Sequence, residues 1–163
     1  MPDWSKTQFN GGSYPKEWSV LIKRLLEGKK SVLDIGCGDG RFTSFLKDFD
    51  YLGVDISQKN IDVCKKNHPK TRFECADLTK WDTKKKYDVV FSWVALQHIN
   101  PLQFDELARK ISKWGKYIIL CEHVEEPGEN DYLWKHDYDR YFNITFTEPI
   151  VDKVKLLFGT TKK

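Results

Sequence analysis

The sequence predicts an α/β fold built on a mostly parallel sheet, and three observations carry that prediction. The stretch Val32-Leu33-Asp34-Ile35-Gly36-Cys37-Gly38-Asp39-Gly40 runs apolar β-formers straight into three glycines at alternate positions, and an amphipathic segment follows. Strand-like apolar runs then alternate with helix-like amphipathic runs, the pattern of βαβ units around a parallel sheet. An acid, Asp55, stands at the end of the second apolar run, about twenty residues past the glycine turn. With 163 residues, the chain is one domain with room for a real core.

Taken in order, residues 1–14 are polar and aromatic, with Trp4, Phe9, Gly11, Gly12 and Tyr14, and should be irregular. Trp18, Leu21, Ile22, Leu25 and Leu26 recur at helical spacing, so residues 15–27 read as a helix with one apolar face. Pro15 suits its first position and Gly28 stops it. Ser31–Ile35 is the first strand, and a helix is expected from about Asp39, burying Phe42, Phe45, Leu46 and Phe49. Tyr51–Val54 is the second strand. Ser57 caps the helix Gln58–Asn67, which His68-Pro69 ends. Thr71–Cys75 is the third strand. Residues 79–87 are short and basic, so a full helix before the fourth strand, Tyr87–Ser92, is missing or reduced to a turn. Asn100-Pro101 caps a helix that buries Phe104, Leu107, Ala108 and Ile111. Lys116–Cys121 is the fifth strand and runs into Glu122-His123. Val124–Asp131, with Pro127 and Gly128, should be a mobile loop, followed by a helical segment carrying Tyr132, Trp134, His136, Asp137 and Tyr138. Tyr141–Thr147 and Lys153–Thr160 alternate like strands, separated by Glu148-Pro149, and read as a terminal antiparallel hairpin.

Glycines at such a turn let backbone approach a ligand where a Cβ would collide. Amides freed at a helix start then face whatever the turn holds. A dinucleotide fingerprint needs its third glycine one position later, where this chain has Arg41. The spacing is Gly36-x-Gly38-x-Gly40, led by Asp34. VLDIGCGDG resembles the first motif of the class I, Rossmann-like, S-adenosyl-L-methionine-dependent methyltransferases.

The resemblance implies a single three-layer Rossmann-like domain over residues 1–163. In it, 1–28 form an N-terminal lid segment and helix, and 29–163 form the core with an antiparallel last strand inserted in the sheet. It implies S-adenosyl-L-methionine as cofactor, S-adenosyl-L-homocysteine as product, and a donor site formed by Asp34, Gly36, Cys37, Gly38 and Gly40. Gly53-Val54-Asp55-Ile56-Ser57 resembles the second motif, in which the acid binds ribose through both oxygens and the next residue packs on adenine; these are Asp55 and Ile56 here. Ala76-Asp77-Leu78 resembles the third, in which Asp77 accepts from the adenine amine while neighbouring amides, at Leu78, meet the ring nitrogens. Ser92 and the loop Trp93–Ile99 resemble the fourth, where methyl group and acceptor meet. Trp93 is either a wall against the charged sulfur or a core aromatic. His98 is either a base or a loop-orienting histidine. Ligands bind beyond the carboxyl ends of strands in an open α/β sheet, which directs Glu122 and His123 towards the acceptor. His123 is the first choice of base, with His98, Glu122, His136 and Asp137 the other groups able to take a proton.

Composition narrows the partners. A net charge of +3, with short and dispersed basic clusters, speaks against nucleic acid and anionic membrane. The four cysteines form no Cys-x-x-Cys pair, which points to free thiols in a reducing compartment and no metal site. The N-terminus MPDWSKTQFNGG lacks a signal-peptide core and no apolar run reaches spanning length, so a cytoplasmic monomer or homodimer is expected. Ser92-Trp93-Val94-Ala95 contains neither the proline-rich loop of the DNA amine methyltransferases nor the Pro-Cys pair of the cytosine C5 enzymes. A small-molecule acceptor methylated on O or N is the reading; RNA or protein acceptors and a non-catalytic binding module are the alternatives.

Overall fold

A strand flanked by helices on both faces must be apolar on both faces, and Val32, Leu33 and Ile35 are each fully buried. The computed structural model describes residues 3, 16–124, 133–151 and 153–162. The strands are β1 (Ser31–Ile35), β2 (Asp50–Asp55), β3 (Arg72–Cys75), β4 (Tyr87–Trp93), β5 (Gly115–His123), β6 (Phe142–Val151) and β7 (Val154–Thr161). The helices are α1 (Lys16–Leu25), α2 (Thr43–Leu46), α3 (Gln58–Asn67) and α4 (Pro101–Trp114). All seven strands form one sheet in the order β3-β2-β1-β4-β5-β7-β6. The pairs among β3, β2, β1, β4 and β5 are parallel, and β7 lies antiparallel between β5 and β6. The inserted last strand is therefore present as expected.

Alternate residues of a strand point to opposite faces, so β1 feeds two cores. Leu33 and Ile35 join Val90, Ile118 and Leu120 under Phe104, Leu107 and Ile111 of α4. Val32 joins Phe91 and Ile119 under Ile22 of α1, Leu26 just past its end and Ile61 of α3 on the other side. The helix starts are set by local chemistry. The Ser57 hydroxyl accepts from the Asn60 amide at 3.4 Å, and the Asn100 side chain accepts from the Leu102 amide at 2.9 Å ahead of Pro101. Where the third crossover helix is missing, aromatics close the gap. Trp114 is fully buried and meets Trp81 edge-on at 5.0 Å, and their indole N–H groups donate to Asp82 and Glu74. Burying a side chain of that size contributes about 3 kcal/mol, and its N–H is satisfied.

Three expectations need correction. The helix foreseen from about Asp39 is only the single turn Thr43–Leu46. Gly40 holds φ at +81°, outside the helical region, and the flanking bonds Thr43 N–H to Gly40 O and Phe49 N–H to Leu46 O close tighter turns. The helical segment foreseen around Tyr132–Tyr138 is only a 3₁₀ turn at Tyr138–Arg140. Residues 133–137 before it are irregular, with the Trp134 amide donating to Gln97 O at 2.8 Å rather than along a helix. Glu148-Pro149 does not separate the last strands: Pro149 lies inside β6, opposite Lys155. An edge strand leaves alternate N–H groups without a neighbour, so proline removes no ladder bond there. The reversal comes later, beside Lys153 at φ +61°.

The N-terminal segment with Trp4, Phe9, Tyr14 and Pro15, and most of the loop after Val124 together with Tyr132, lie outside the described residues. No helix among the described residues is long and apolar enough to cross a membrane.

Candidate active site

The order of the sheet reverses at β1 and β4, whose onward connections leave in opposite directions. A crevice opens beyond the carboxyl ends of such a pair. Here it measures about 930 Å³ with its open mouth included, and it is lined by the glycine turn, the ends of β2 and β3, and the loop after β4.

Gly36, Gly38 and Gly40 hold φ at +71°, +55° and +81°, a region that disfavours any side chain. Their surroundings differ. A Cβ on Gly36 would stand 2.2 Å from the Ala95 Cβ, so this glycine lets the loop after β4 close on the turn. A Cβ on Gly40 would stand 2.9 Å from the Cys64 sulfur, and Gly40 does not line the cleft. Only Gly38 has open space around its missing side chain. Four of the turn's amides are spent internally. Those of Gly36 and Cys37 donate to Val54 O, that of Gly40 to Cys37 O, and that of Gly38 to Asp55 Oδ2 at 2.9 Å. The Cys37 thiol lines the cleft but is pushed well up, first by its bond to the Cys64 thiol and then by burial, and is no nucleophile.

Three carboxylates converge on the cleft. Asp34 is buried and accepts from the Tyr51 hydroxyl at 2.8 Å. Burial pushes its carboxyl up to about 7, the Tyr51 bond opposes the rise, and the charge of Asp55 adds to it. Asp55 Oδ1 accepts from the Ser57 amide at 2.8 Å and from the Asn60 side chain at 3.4 Å. Its Oδ2 accepts the Gly38 amide, and among the described residues no second donor meets it, which keeps a lone pair for a ligand. Ile56, 39 % exposed, stands beside it as an apolar platform. Asp77 Oδ1 takes the Thr79 amide and hydroxyl at 3.0 and 2.7 Å, while Oδ2 faces the exposed Lys80 ammonium at 3.3 Å. Partial burial raises the Asp77 carboxyl, but the Thr79 bonds and Lys80 outweigh it and leave it below its ordinary value. Leu78 lines the wall next to it.

The other end of the cleft is formed by Arg41, Phe42, Trp93, Val94, Ala95, His98 and Ile99. Trp93 leans on Phe42 with ring centroids 4.7 Å apart, so it is at once core aromatic and cleft wall. Val94, at φ +50°, turns the chain out of β4, and its amide donates to Cys121 O at 2.7 Å. His98 faces the cleft. Arg41 does too, its guanidinium 3.7 Å from Asp39. Arg41 was visible in the sequence only as the residue replacing a glycine, although its place directly after the turn was the signal that it would face the ligand.

Besides Gly40, three predicted residues lie elsewhere. Ser92 is fully buried and donates to Glu122 Oε1 at 2.6 Å. Glu122, also fully buried, accepts from the amides of Ala95, Leu96 and Gln97 at 3.2 Å each. Its carboxyl is turned to these four donors in the core and does not line the cleft. His123 sits opposite Val154 on the β7 side of β5, two strands from β1, and does not line the cleft. A strand-end position was too coarse a guide, because consecutive residues of β5 leave on opposite faces. His136 is likewise committed, with Nε2 3.0 Å from Leu96 O and its ring stacked on Phe104 at 3.7 Å.

A doubly wound α/β sheet with a cleft at its switch point, rimmed by strand-end acids and a glycine turn, defines the class I S-adenosyl-L-methionine-dependent methyltransferase fold. The model of the methyltransferase domain family matches residues 32–116, just over half of the chain, and the chain belongs to that family. It is 27 % identical over 157 residues to a candidate methyltransferase, 235L, of Invertebrate iridescent virus 6, covering 90 % of this chain and 59 % of the viral protein. The chain thus spans little more than half of that relative. The PH0226 protein of Pyrococcus horikoshii OT3 superposes with a TM-score of 0.77 at 20 % identity, covering 97 % of this chain and 95 % of that one. The N-methyltransferase NodS of Bradyrhizobium japonicum WM9, solved with S-adenosyl-L-homocysteine, gives 0.76 at 13 % identity, covering 91 % and 87 %.

Proposed function

We propose that this protein transfers a methyl group from S-adenosyl-L-methionine to an O or N atom of a small-molecule acceptor. The observation that carries the reading is the convergence of Asp55, Ile56 and Asp77 with the open face of Gly38 on one cleft. These residues fit an adenosine. Asp55 Oδ2 suits a ribose hydroxyl, Ile56 an adenine face, and Asp77 Oδ2 an exocyclic amine. Asp34, Cys37, Leu78 and Trp93 complete the donor wall. When bound, the cofactor supplies an electrophilic methyl on a sulfonium and leaves as S-adenosyl-L-homocysteine.

The residues of the chain do the placing. Holding the acceptor in line with the sulfur–carbon bond is worth roughly 7–11 kcal/mol in favourable cases. Phe42 and Trp93 give that end a dry aromatic wall, which favours a transition state in which charge is lost. His98 replaces His123 as the group that takes a proton from a hydroxyl or ammonium acceptor, because His98 alone of the two reaches the cleft. Arg41 beside it suits a carboxylate or phosphate on donor or acceptor. The free thiols Cys37, Cys64, Cys75 and Cys121 suit a cytoplasmic setting.

Calorimetry with S-adenosyl-L-methionine and with NAD, followed by an assay for S-adenosyl-L-homocysteine release across panels of hydroxyl and amine acceptors, tests this. Donor binding with release on a small acceptor is expected. Binding of NAD instead, or release only on RNA or protein, would overturn it.

A further inference from the structure

Behind the acceptor end of the cleft lies a buried group that the reaction does not use. Glu122 is the penultimate residue of β5, and its carboxyl is enclosed in the core on the α4 side of the sheet. Its Oε1 accepts from the Ser92 hydroxyl at 2.6 Å and from the Ala95 and Leu96 amides at 3.2 Å; its Oε2 accepts from the Gln97 amide at 3.2 Å. Three successive backbone amides at the head of the Leu96–His98 turn thus share one side chain. An unmet buried amide costs about as much as a lost hydrogen bond, and an apolar residue at 122 would leave all three unmet. The outer side of the same turn is held from the segment after β5, by the Trp134 amide on Gln97 O at 2.8 Å and His136 Nε2 at Leu96 O at 3.0 Å.

We infer that Glu122 is a positioning residue: by gathering the Ala95–Gln97 amides it fixes the loop that backs onto Gly36 and carries His98 into the cleft. Two features tie this to the site rather than to the core at large. Ala95, one of the three amides held, is the residue against which a Cβ on Gly36 would collide. His98 closes the same turn, its amide donating to Ala95 O at 3.1 Å. The role assigned to His98 rests on the methyl-transfer reading; the hold on the loop does not.

The hold depends on the carboxyl's charge, because a carboxylate offers four acceptor sites and a protonated carboxyl turns one oxygen into a donor. Burial pushes Glu122 up to about 7, against the pull of the Ser92 hydroxyl and the Leu96, Gln97 and Ala95 amides. The titratable groups around it are Cys121 beside it on β5 and Tyr138 on the 3₁₀ turn, both pushed up by burial. His136 lies beyond Leu96 and is pushed down by burial, and His98 ends the loop itself. The loop should therefore loosen as pH falls through about 7.

Hydrogen exchange read by mass spectrometry, corrected for intrinsic rates, tests this across pH 5.5–8.5 in the whole chain. Wild-type protection at residues 95–97 should fall on acidification by about tenfold or more, the value of a charge-assisted bond, while Val89–Phe91 in β4 stay protected. Glu122→Gln should show low, pH-independent protection at 95–97. Ser92→Ala keeps the carboxyl but removes one donor to its charged form, so the wild-type midpoint should move to higher pH. That variant serves equally if Glu122→Gln does not fold. Flat wild-type protection, or an unmoved midpoint in Ser92→Ala, would overturn the inference. Donor binding is measured separately by calorimetry: its absence would remove the methyl-transfer reading and leave the exchange result standing.

Discussion

The two ends of the cleft are built differently. The donor end is the more local: Asp55 bonds Ser57 two residues on, Asp77 bonds Thr79 two residues on, and the side-chain contacts that join β1 to β2, Gly38 to Asp55 and Tyr51 to Asp34, each span 17 positions. The acceptor end is assembled across the chain, Glu122 reaching Leu96 over 26 positions and His136 reaching the same residue over 40. A site made of short contacts at strand ends is preset by the sheet, whereas one made of long contacts exists only once β5 and the segment after it have docked.

That difference orders the predictions. The largest effect is expected at the acceptor end. His98→Ala should lower turnover by about a hundredfold or more with donor affinity unchanged, whereas His123→Ala should leave turnover close to wild type. Steady-state assays of the two variants decide between them, and equal losses would erase the distinction between cleft and β7 side.

The second effect concerns pH. Asp34 is raised to about 7 in the folded chain. The folded state therefore keeps a proton that the unfolded state has released, so stability falls as pH rises from about 4 to 7 and is level above that. The raised Glu122 acts in the same direction, and the lowered His136 opposes both between its folded value and the ordinary 6.5. Denaturant midpoints at pH 5 and pH 8 should differ less in Asp34→Asn than in wild type, by on the order of 3 kcal/mol at most. An unchanged difference would show that Asp34 is ordinary in the folded chain.

Third, Gly36→Ala should cost about 2–4 kcal/mol, since it adds a collision with Ala95 to an unfavourable φ. Gly38→Ala meets nothing and should cost about 1–2 kcal/mol for the φ alone. Thermal unfolding of the pair measures the gap, and equal costs would mean that the loop after β4 does not press on the turn. The last effect falls on binding rather than on stability: Asp55→Ala should weaken donor binding by roughly 1–3 kcal/mol in calorimetry, and unchanged affinity would defeat the ribose assignment.

The same local-versus-distant contrast explains what could be read from the sequence. Strands β1 to β5, the caps Ser57 and Asn100, and the acids Asp34, Asp55 and Asp77 were legible because apolar runs, turn residues and strand ends are short-range signals. The inserted β7 followed from the family resemblance. The one-turn α2 was not legible: Phe42, Phe45, Leu46 and Phe49 have helical spacing, but a left-handed Gly40 and the short link to β2 leave space for a single turn. Nor was the role of Glu122. Nothing near it in sequence shows that its partners lie in the loop after β4, so an acid at a strand end was read as substrate-facing when it faces the core. Trp134 and His136 were taken for helix positions for the same reason, their partners being Gln97 and Leu96.

The most direct measurement is a crystal structure of the chain with S-adenosyl-L-homocysteine. A ribose hydroxyl within hydrogen-bond distance of Asp55 Oδ2 and the adenine amine at Asp77 Oδ2, with the sulfur facing Trp93 and His98, is the predicted result. A nucleoside bound away from the ends of β1 and β2, or no bound nucleoside at saturating concentration, would contradict it.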